Sequence, residues 1–267
     1  MRREWWTEDA GLFGDFYMEG DASLNGHLAA ASLSLSQRTH RESDGVMRLL
    51  GLEQGSAVLD VPCGYGRHAI ELAARGCEVL GVDLNGTHLD SARQASLTRW
   101  PEGKPGLQFQ QADMLTLDYA ERFDAVINMF FSFGFFAGDD ENMRVLRNFR
   151  NAVRPGGRFL MHTDVNLSRI WSGKYKTRER RQLASGATLV IEERYDPATR
   201  RIEGSWTIEG RGAGRKNYSV RVYETEEFRA MCLEAGFQTC DVLGNWDGGP
   251  YGAEVSEEVI FVAQRCP

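Results

Sequence analysis

The chain has 267 residues, 42% of them hydrophobic and 26% charged, with a formal net charge of −7. That length holds one large domain or a core carrying an insertion, and the near-average composition excludes disordered, collagen-like and coiled-coil classes. With 31 basic against 38 acidic residues, the chain lacks the positive field of a sequence-tolerant nucleic-acid binder, so nucleic acid is not expected as a partner.

Residues 1–40 are aromatic and irregular, with Trp5, Trp6, Phe13, Phe16 and Tyr17. Aromatics without strand alternation predict a helical cap docked on the main body. An apolar-periodic helix over Ser43 to Leu50 leads to Gly51, and short apolar runs then alternate with helical segments. Strands are predicted at Ala57 to Val61, Glu78 to Val82, Leu107 to Gln110, Asp124 to Met129 and Arg158 to His162. Helices fall between them at Arg67 to Ala74, Thr87 to Leu97 and Glu141 to Val153. Such alternation specifies a mostly parallel sheet covered on both faces, whose ligands bind beyond the carboxyl ends of the strands.

Between Asp164 and Val222 the rhythm breaks. A polar segment, Arg169 to Gln182, precedes period-two alternation in Thr188 to Tyr195 and Ile202 to Ile208, with a turn at Asp196-Pro197-Ala198-Thr199. Two or three inserted antiparallel strands are expected here. A helix over Thr225 to Ala235, a strand over Phe237 to Leu243, a glycine-rich loop from Gly244 to Gly252 and a strand over Glu258 to Gln264 complete the chain. The expected division is a cap at 1–40, a core at 41–164 and 223–267, and an inserted sheet at 165–222.

Three expectations concern surroundings. No run of about 18 apolar residues is present, so no membrane helix is expected. The start, Met1-Arg2-Arg3-Glu4-Trp5-Trp6, has no apolar stretch behind it and reads as no secretory signal. Cys63, Cys77, Cys232, Cys240 and Cys266 are scattered without a C-x-x-C pair. That pattern fits a reducing cytoplasm, with neither a disulfide framework nor a zinc cluster. The histidines and acidic residues show no metal-ligand spacing, so no metal is expected.

The most informative segment is Asp60-Val61-Pro62-Cys63-Gly64-Tyr65-Gly66-Arg67-His68, an apolar strand end running into a glycine turn that opens a helix. Glycines there let backbone approach a ligand closely. Asp83 ends the next strand 19 positions after Gly64, where a carboxylate can accept hydrogen bonds from two ribose hydroxyls. Turn and acid alone fit an NAD site as well as an S-adenosylmethionine site.

Further pieces follow in order: Gln111-Ala112-Asp113-Met114, Phe123-Asp124-Ala125-Val126-Ile127-Asn128, Arg154-Pro155-Gly156-Gly157-Arg158 and Ala235-Gly236-Phe237. Together these resemble the class I S-adenosylmethionine-dependent methyltransferases over nearly all of Leu49 to Gln264. Asn245-Trp246-Asp247-Gly248-Gly249-Pro250-Tyr251 narrows the resemblance to a bacterial, natural-product type of subgroup that mostly methylates small molecules, including antibiotic amines and sugars. The resemblance implies a Rossmann-like α/β fold with seven strands, the last antiparallel, and a small sheet inserted after strand five. Pro62 departs from the class, which usually has a glycine there; it removes an N–H, so no backbone hydrogen bond to the cofactor is expected at this position.

The resemblance also implies roles. The turn from Cys63 through Gly64 to Gly66 would pass beneath the methionine part of S-adenosyl-L-methionine, with Asp60 near its ammonium and Thr39 close to the same end. Asp83 would hold the ribose, Leu84 would pack on the adenine, and Ala112, Asp113 and Met114 would meet the adenine edge. Asn128 would lie near the methionine amino group and the transferred methyl. Plainer roles stand beside these, since Asp83, Asp113 and Asn128 also suit turns and caps.

Methyl transfer from a sulfonium needs alignment and exclusion of water more than a catalytic triad. His162, ending strand five, is the candidate base, or it satisfies a strand-end hydrogen bond. Tyr17 would close over the methyl site and orient an amine, or pack as a cap aromatic. Phe130, Phe131, Phe133, Phe135 and Phe136 crowd the loop after strand four, divided between core and pocket wall. The run Arg169, Lys174, Lys176, Arg178, Arg180, Arg181 is either a solvated face or a seat for an anionic substrate. The expected function is methyl transfer to an amine, or a hydroxyl, of a small molecule, with a homodimer through an edge of the inserted sheet. The alternatives are an NAD-dependent oxidoreductase and a non-catalytic partner subunit.

Overall fold

The computed structural model describes residues 4–7, 12–13, 15–21, 33–130, 132–210 and 214–267. Phe131, the Phe16 side chain and much of the 1–40 segment lie outside them. A seven-stranded sheet is built from β1 (Ala57–Asp60), β2 (Glu78–Asp83), β3 (Leu107–Gln111), β4 (Phe123–Asn128), β5 (Val153–Thr163), β10 (Thr239–Leu243) and β11 (Val259–Gln264). Its order is β10-β11-β5-β4-β1-β2-β3. Only β11 runs against its neighbours, pairing antiparallel with both β5 and β10.

Alternation within the strands explains why the sheet is covered twice. Leu59, Leu80, Val126, Phe159 and Phe261 face a core shared with α5 (Asp139–Ala152) and α7 (Thr225–Glu234). Their neighbours Val58, Val79, Ile127, Leu160 and Ile260 face the opposite way, onto α2 (Leu35–Leu50) and α3 (Arg67–Ala74). Period-two strands with both parities apolar are the mark of a buried, doubly covered sheet. Fully buried side chains such as Leu146 and Phe149 each contribute ~1.5–3 kcal/mol by leaving water.

The inserted sheet has four strands, not two or three: β6 (Arg178–Gln182), β7 (Thr188–Asp196), β8 (Arg201–Glu209) and β9 (Arg215–Arg221), paired antiparallel in that order. The outer two, RERRQ and RKNYSVR, are edge strands rich in charge, so they carry little of the hydrophobic alternation that marks a strand. Charged edges also oppose edge-to-edge pairing, which weighs against a dimer formed through β6. Before that sheet lies the short α6 (Leu167–Trp171).

Helix α2 begins at Leu35 rather than Ser43, so the boundary drawn at residue 40 falls inside a helix. Its first turns bury Arg38, Thr39 and Glu42, polar residues that hide the apolar periodicity. Ser34 and Gln37 close a capping box at its start. In the N-terminal segment, α1 spans Asp15–Asp21. Trp5 and Phe13 pack at once against the main core and against the inserted-sheet cluster of Leu183, Leu189, Ile191 and Ile208.

Candidate active site

Two adjoining clefts open at the carboxyl ends of the central strands. The first encloses about 870 Å³ out to its mouth, open solvent included. Its floor is the turn after β1. Gly64 and Gly66 have φ of 53° and 79°, left-handed values that glycine adopts without strain. A Cβ on Gly66 would stand 2.7 Å from the Ala92 Cβ and 2.9 Å from the Phe109 ring, whereas one on Gly64 would meet nothing within 4 Å. One glycine lets the helix close on the sheet; the other leaves the cleft open.

Asp83 fixes this floor. Its Oδ2 accepts the Gly64 amide at 2.7 Å and its Oδ1 the Asn85 amide at 2.8 Å. Burial raises its pKa, against the lowering pull of these amides and of His88. Next to it Leu84 is 37% exposed, an apolar side chain left open on the cleft wall. Ala112, Asp113 and Met114 complete that side, with Asp113 also accepting the Leu115 amide at 2.9 Å.

Of the residues expected at the cofactor, Cys63, Gly64, Asp83, Leu84, Ala112, Asp113 and Met114 line this cleft, and so does Tyr17. Asp60, Gly66, Asn128 and Thr39 do not; they stand behind it. Asp60 is buried and neither carboxylate oxygen has a hydrogen-bond partner. Burial pushes its pKa up to about 8, opposed by Arg67 and helped by Asp83. The Asn128 amide donates to the Val61 carbonyl at 2.8 Å, tying β4 to the end of β1 and leaving its own Oδ1 unpartnered. Thr39 accepts from Arg67 at 2.9 Å.

His162 is not brought to either cleft. It is fully buried between Phe130, at 4.7 Å, and Trp246, at 5.0 Å between ring centroids. Neither ring nitrogen has a hydrogen-bond partner, and burial lowers its pKa to about 3. The reason is directional: strand alternation turns His162 with Leu160 toward the α2–α3 face, away from the cleft mouth. No reaction step is therefore assigned to it.

A charged network that the sequence did not reveal holds one end of the cleft. Arg67 pairs with Glu42, Arg38 with Asp21 at 3.1 Å, and the Tyr65 hydroxyl donates to Asp21. His68 meets Glu42 at 2.9 Å, and burial with the neighbouring Arg67 lowers its pKa to about 4. The Arg67 guanidinium also lies 4.5 Å over the Phe130 ring. Phe130 itself has φ of 56°, a rare conformation for a bulky residue and one that concentrates at functional sites.

The second cleft, about 1390 Å³, lies between the core and the inserted sheet. Phe13, Tyr17, Asp21, Phe130, Ser132 and Phe135 line both clefts and form their common wall. The loop phenylalanines thus divide: Phe130 and Phe135 line both clefts, Phe136 the first, and Phe133 packs on Phe228 in the core. The far side carries Asp164, Glu193, Tyr175, Trp206 and Tyr218, none singled out from sequence. Two signals were present. Asp164 directly follows β5, and Glu193 continues the inward row Leu189, Ile191, Glu193 of β7, where an acid needs a reason.

The basic run is largely matched by carboxylates. Lys174 pairs with Glu254 at 2.8 Å, Arg180 with Glu209 at 2.7 Å, Arg181 with Glu179 at 2.8 Å and Arg169 with Glu257 at 3.6 Å. This favours a neutralised face over an anion seat.

Comparison with known proteins shows the family. The family described as a methyltransferase domain matches residues 58–157. The chain is 32% identical over 219 residues to the dTDP-3-amino-3,6-dideoxy-alpha-D-glucopyranose N,N-dimethyltransferase of Streptomyces fradiae, covering 80% of this chain and 81% of that one. It is 25% identical over 207 residues to the dTDP-3-amino-3,4,6-trideoxy-alpha-D-glucopyranose N,N-dimethyltransferase of Streptomyces venezuelae, covering 74% and 81%. Among solved structures, the CcbJ methyltransferase from Streptomyces caelestis superposes with a TM-score of 0.72 at 22% identity, covering 85% of this chain and 90% of that one.

Proposed function

Because the chain belongs to the class I S-adenosylmethionine-dependent methyltransferases of the small-molecule type, we propose that it methylates an amine nitrogen of a small molecule. Membership decides between the two cofactors that the glycine turn left open: S-adenosyl-L-methionine is the cofactor, and the oxidoreductase alternative falls. The residues fit it. The two unpartnered oxygens of Asp60 suit an ammonium group, and the exposed Leu84 suits a planar base. In this reading Asp60 stands near the amino group, Asp83 holds the ribose, and Ala112, Asp113 and Met114 meet the adenine edge.

When bound, the cofactor supplies a methyl group already activated on a sulfonium sulfur. What the chain adds is positioning for in-line displacement and exclusion of water. Phe130, Phe135 and Tyr17 line both clefts and would hold the acceptor against the methyl. Burial and the nearby Asp21 raise the Tyr17 pKa, so its hydroxyl keeps its proton and can donate. The single observation that carries the reading is this second chamber, joined to the cofactor cleft through a shared aromatic wall. The N,N-dimethyltransferase names of two relatives support nitrogen over oxygen.

The test is turnover of S-adenosylmethionine with a panel of small amines and their hydroxyl counterparts, with products resolved by mass spectrometry and NMR. N-methylated products are expected. Products methylated on oxygen alone would overturn the nitrogen assignment.

A further inference from the structure

We propose that Glu193, held by Tyr175 and Tyr218 inside the second chamber, is a recognition site for the positively charged group of an ammonium-bearing acceptor; this rests on the methyltransferase reading above. The site spans three strands. Glu193 of β7 pairs in register with Gly204 of β8, and Gly204 with Tyr218 of β9. A Cβ on Gly204 would lie 2.1 Å from the Tyr218 Cζ. The missing side chain is what lets the Tyr218 ring lean across β8 until its hydroxyl donates to Glu193 Oε1. From the other side the Tyr175 hydroxyl donates to Oε2 at 2.6 Å.

Donor counting gives the ligand class. An ionised carboxylate accepts about four hydrogen bonds, and two phenols supply one each. Both phenol protons are then committed, so the oxygens left facing the chamber are acceptors. No lysine or arginine forms an ion pair with Glu193 among the described residues. Of the chamber's own cations, Arg169 pairs with Glu257 and Lys174 with Glu254, while Arg181 pairs with Glu179 and acts on Glu193 only through space. Burial and the neighbouring Asp164 raise the Glu193 pKa, against the lowering pull of the two phenols and of Arg181. A bound cation with N–H donors relieves both strains; an anion or a neutral carbonyl relieves neither. Aromatic faces complete the setting, with Tyr17 stacked on Trp206 at 5.4 Å and 12°, a surface that favours a cation.

The test uses the full chain saturated with S-adenosylhomocysteine, and two probes of equal shape: cyclohexylammonium and cyclohexanol. Saturation-transfer NMR titration should show the cation binding about tenfold or more tightly than the alcohol. Glu193→Gln keeps an acceptor oxygen for one of the two phenols but no charge, and should erase that preference while S-adenosylhomocysteine affinity holds. Tyr175→Phe keeps the charge and should keep the preference, which covers the case of a Glu193→Gln protein that does not fold. Equal binding of both probes to the wild type, or a preference surviving in Glu193→Gln, overturns the proposal. Failure of S-adenosylhomocysteine to bind would instead strike the methyltransferase reading, and the two probes would then be compared on the free protein.

Discussion

The two clefts share a wall and are built by opposite means. The cofactor side is made largely from short segments at strand ends, with backbone amides, a glycine turn and the carboxylates of Asp83 and Asp113 each within a few residues of a strand. The acceptor side is gathered from the N-terminal segment, the loops after β4 and β5 and all four strands of the inserted sheet, and its walls are side chains. A site made of backbone tolerates sequence change outside a few positions. A site made of distant side chains can be altered one residue at a time, which suits a family whose members share a cofactor and differ in substrate.

The largest contrast is expected at the turn. Gly66→Val combines a left-handed φ with a Cβ 2.7 Å from Ala92, and should cost roughly 2–6 kcal/mol of stability in urea unfolding from strain and overpacking together. A substitution at an acceptor-side wall residue such as Tyr17→Phe should cost far less. Equal losses would erase the distinction between a rigid floor and a mutable wall.

Next comes Asp83→Ala, which strips a buried carboxylate from the Gly64 and Asn85 amides. S-adenosylhomocysteine binding should weaken by ~1–3 kcal/mol. Unchanged binding in calorimetry would remove the ribose assignment.

Proton linkage sharpens the same side. Burial lifts the Asp60 carboxyl from 3.8 to about 8. An acid whose folded pKa is raised contributes stability that is whole below pH 3.8 and lost as pH climbs through about 8. An ammonium placed beside it favours the charged form, so binding S-adenosylhomocysteine at neutral pH should release a proton, and Asp60→Asn should abolish that release. Calorimetry in buffers of different ionisation enthalpy reads it directly; identical release in both proteins would place the amino group elsewhere.

The smallest effect is expected at the rim. Lys174→Ala breaks an exposed pair with Glu254, and should change stability by no more than ~1 kcal/mol. A large gain or loss in affinity for an anionic acceptor would reopen the run as a binding surface.

Legibility in the sequence follows the same division. The ends of α3, read at Arg67 and Ala74, match the structure, and the strands of the main sheet were found to within a few residues at most boundaries. The apolar runs are buried on both faces, and the glycines mark a turn with few alternatives. Residues at that turn could be named because their neighbours in space are their neighbours in sequence. The meeting of Glu193 with Tyr218 could not be read, since it depends on strand register and on the empty space at Gly204, although an acid in the inward row of β7 was itself a signal. His162 misled for a related reason: position along β5 is visible in sequence, but Phe159, Leu160 and Met161 are buried on alternate faces, so the sequence alone does not say which face carries the cleft. The outer strands β6 and β9 were hidden by the charges that protect a sheet edge.

The most direct measurement is the affinity for S-adenosylhomocysteine of Asp83→Ala and Glu193→Gln, side by side with the wild type in one calorimetric series. Separate clefts with separate ligands predict that Asp83→Ala weakens binding while Glu193→Gln matches the wild type. Equal weakening by both substitutions would contradict the division of the molecule into a cofactor cleft and an acceptor chamber.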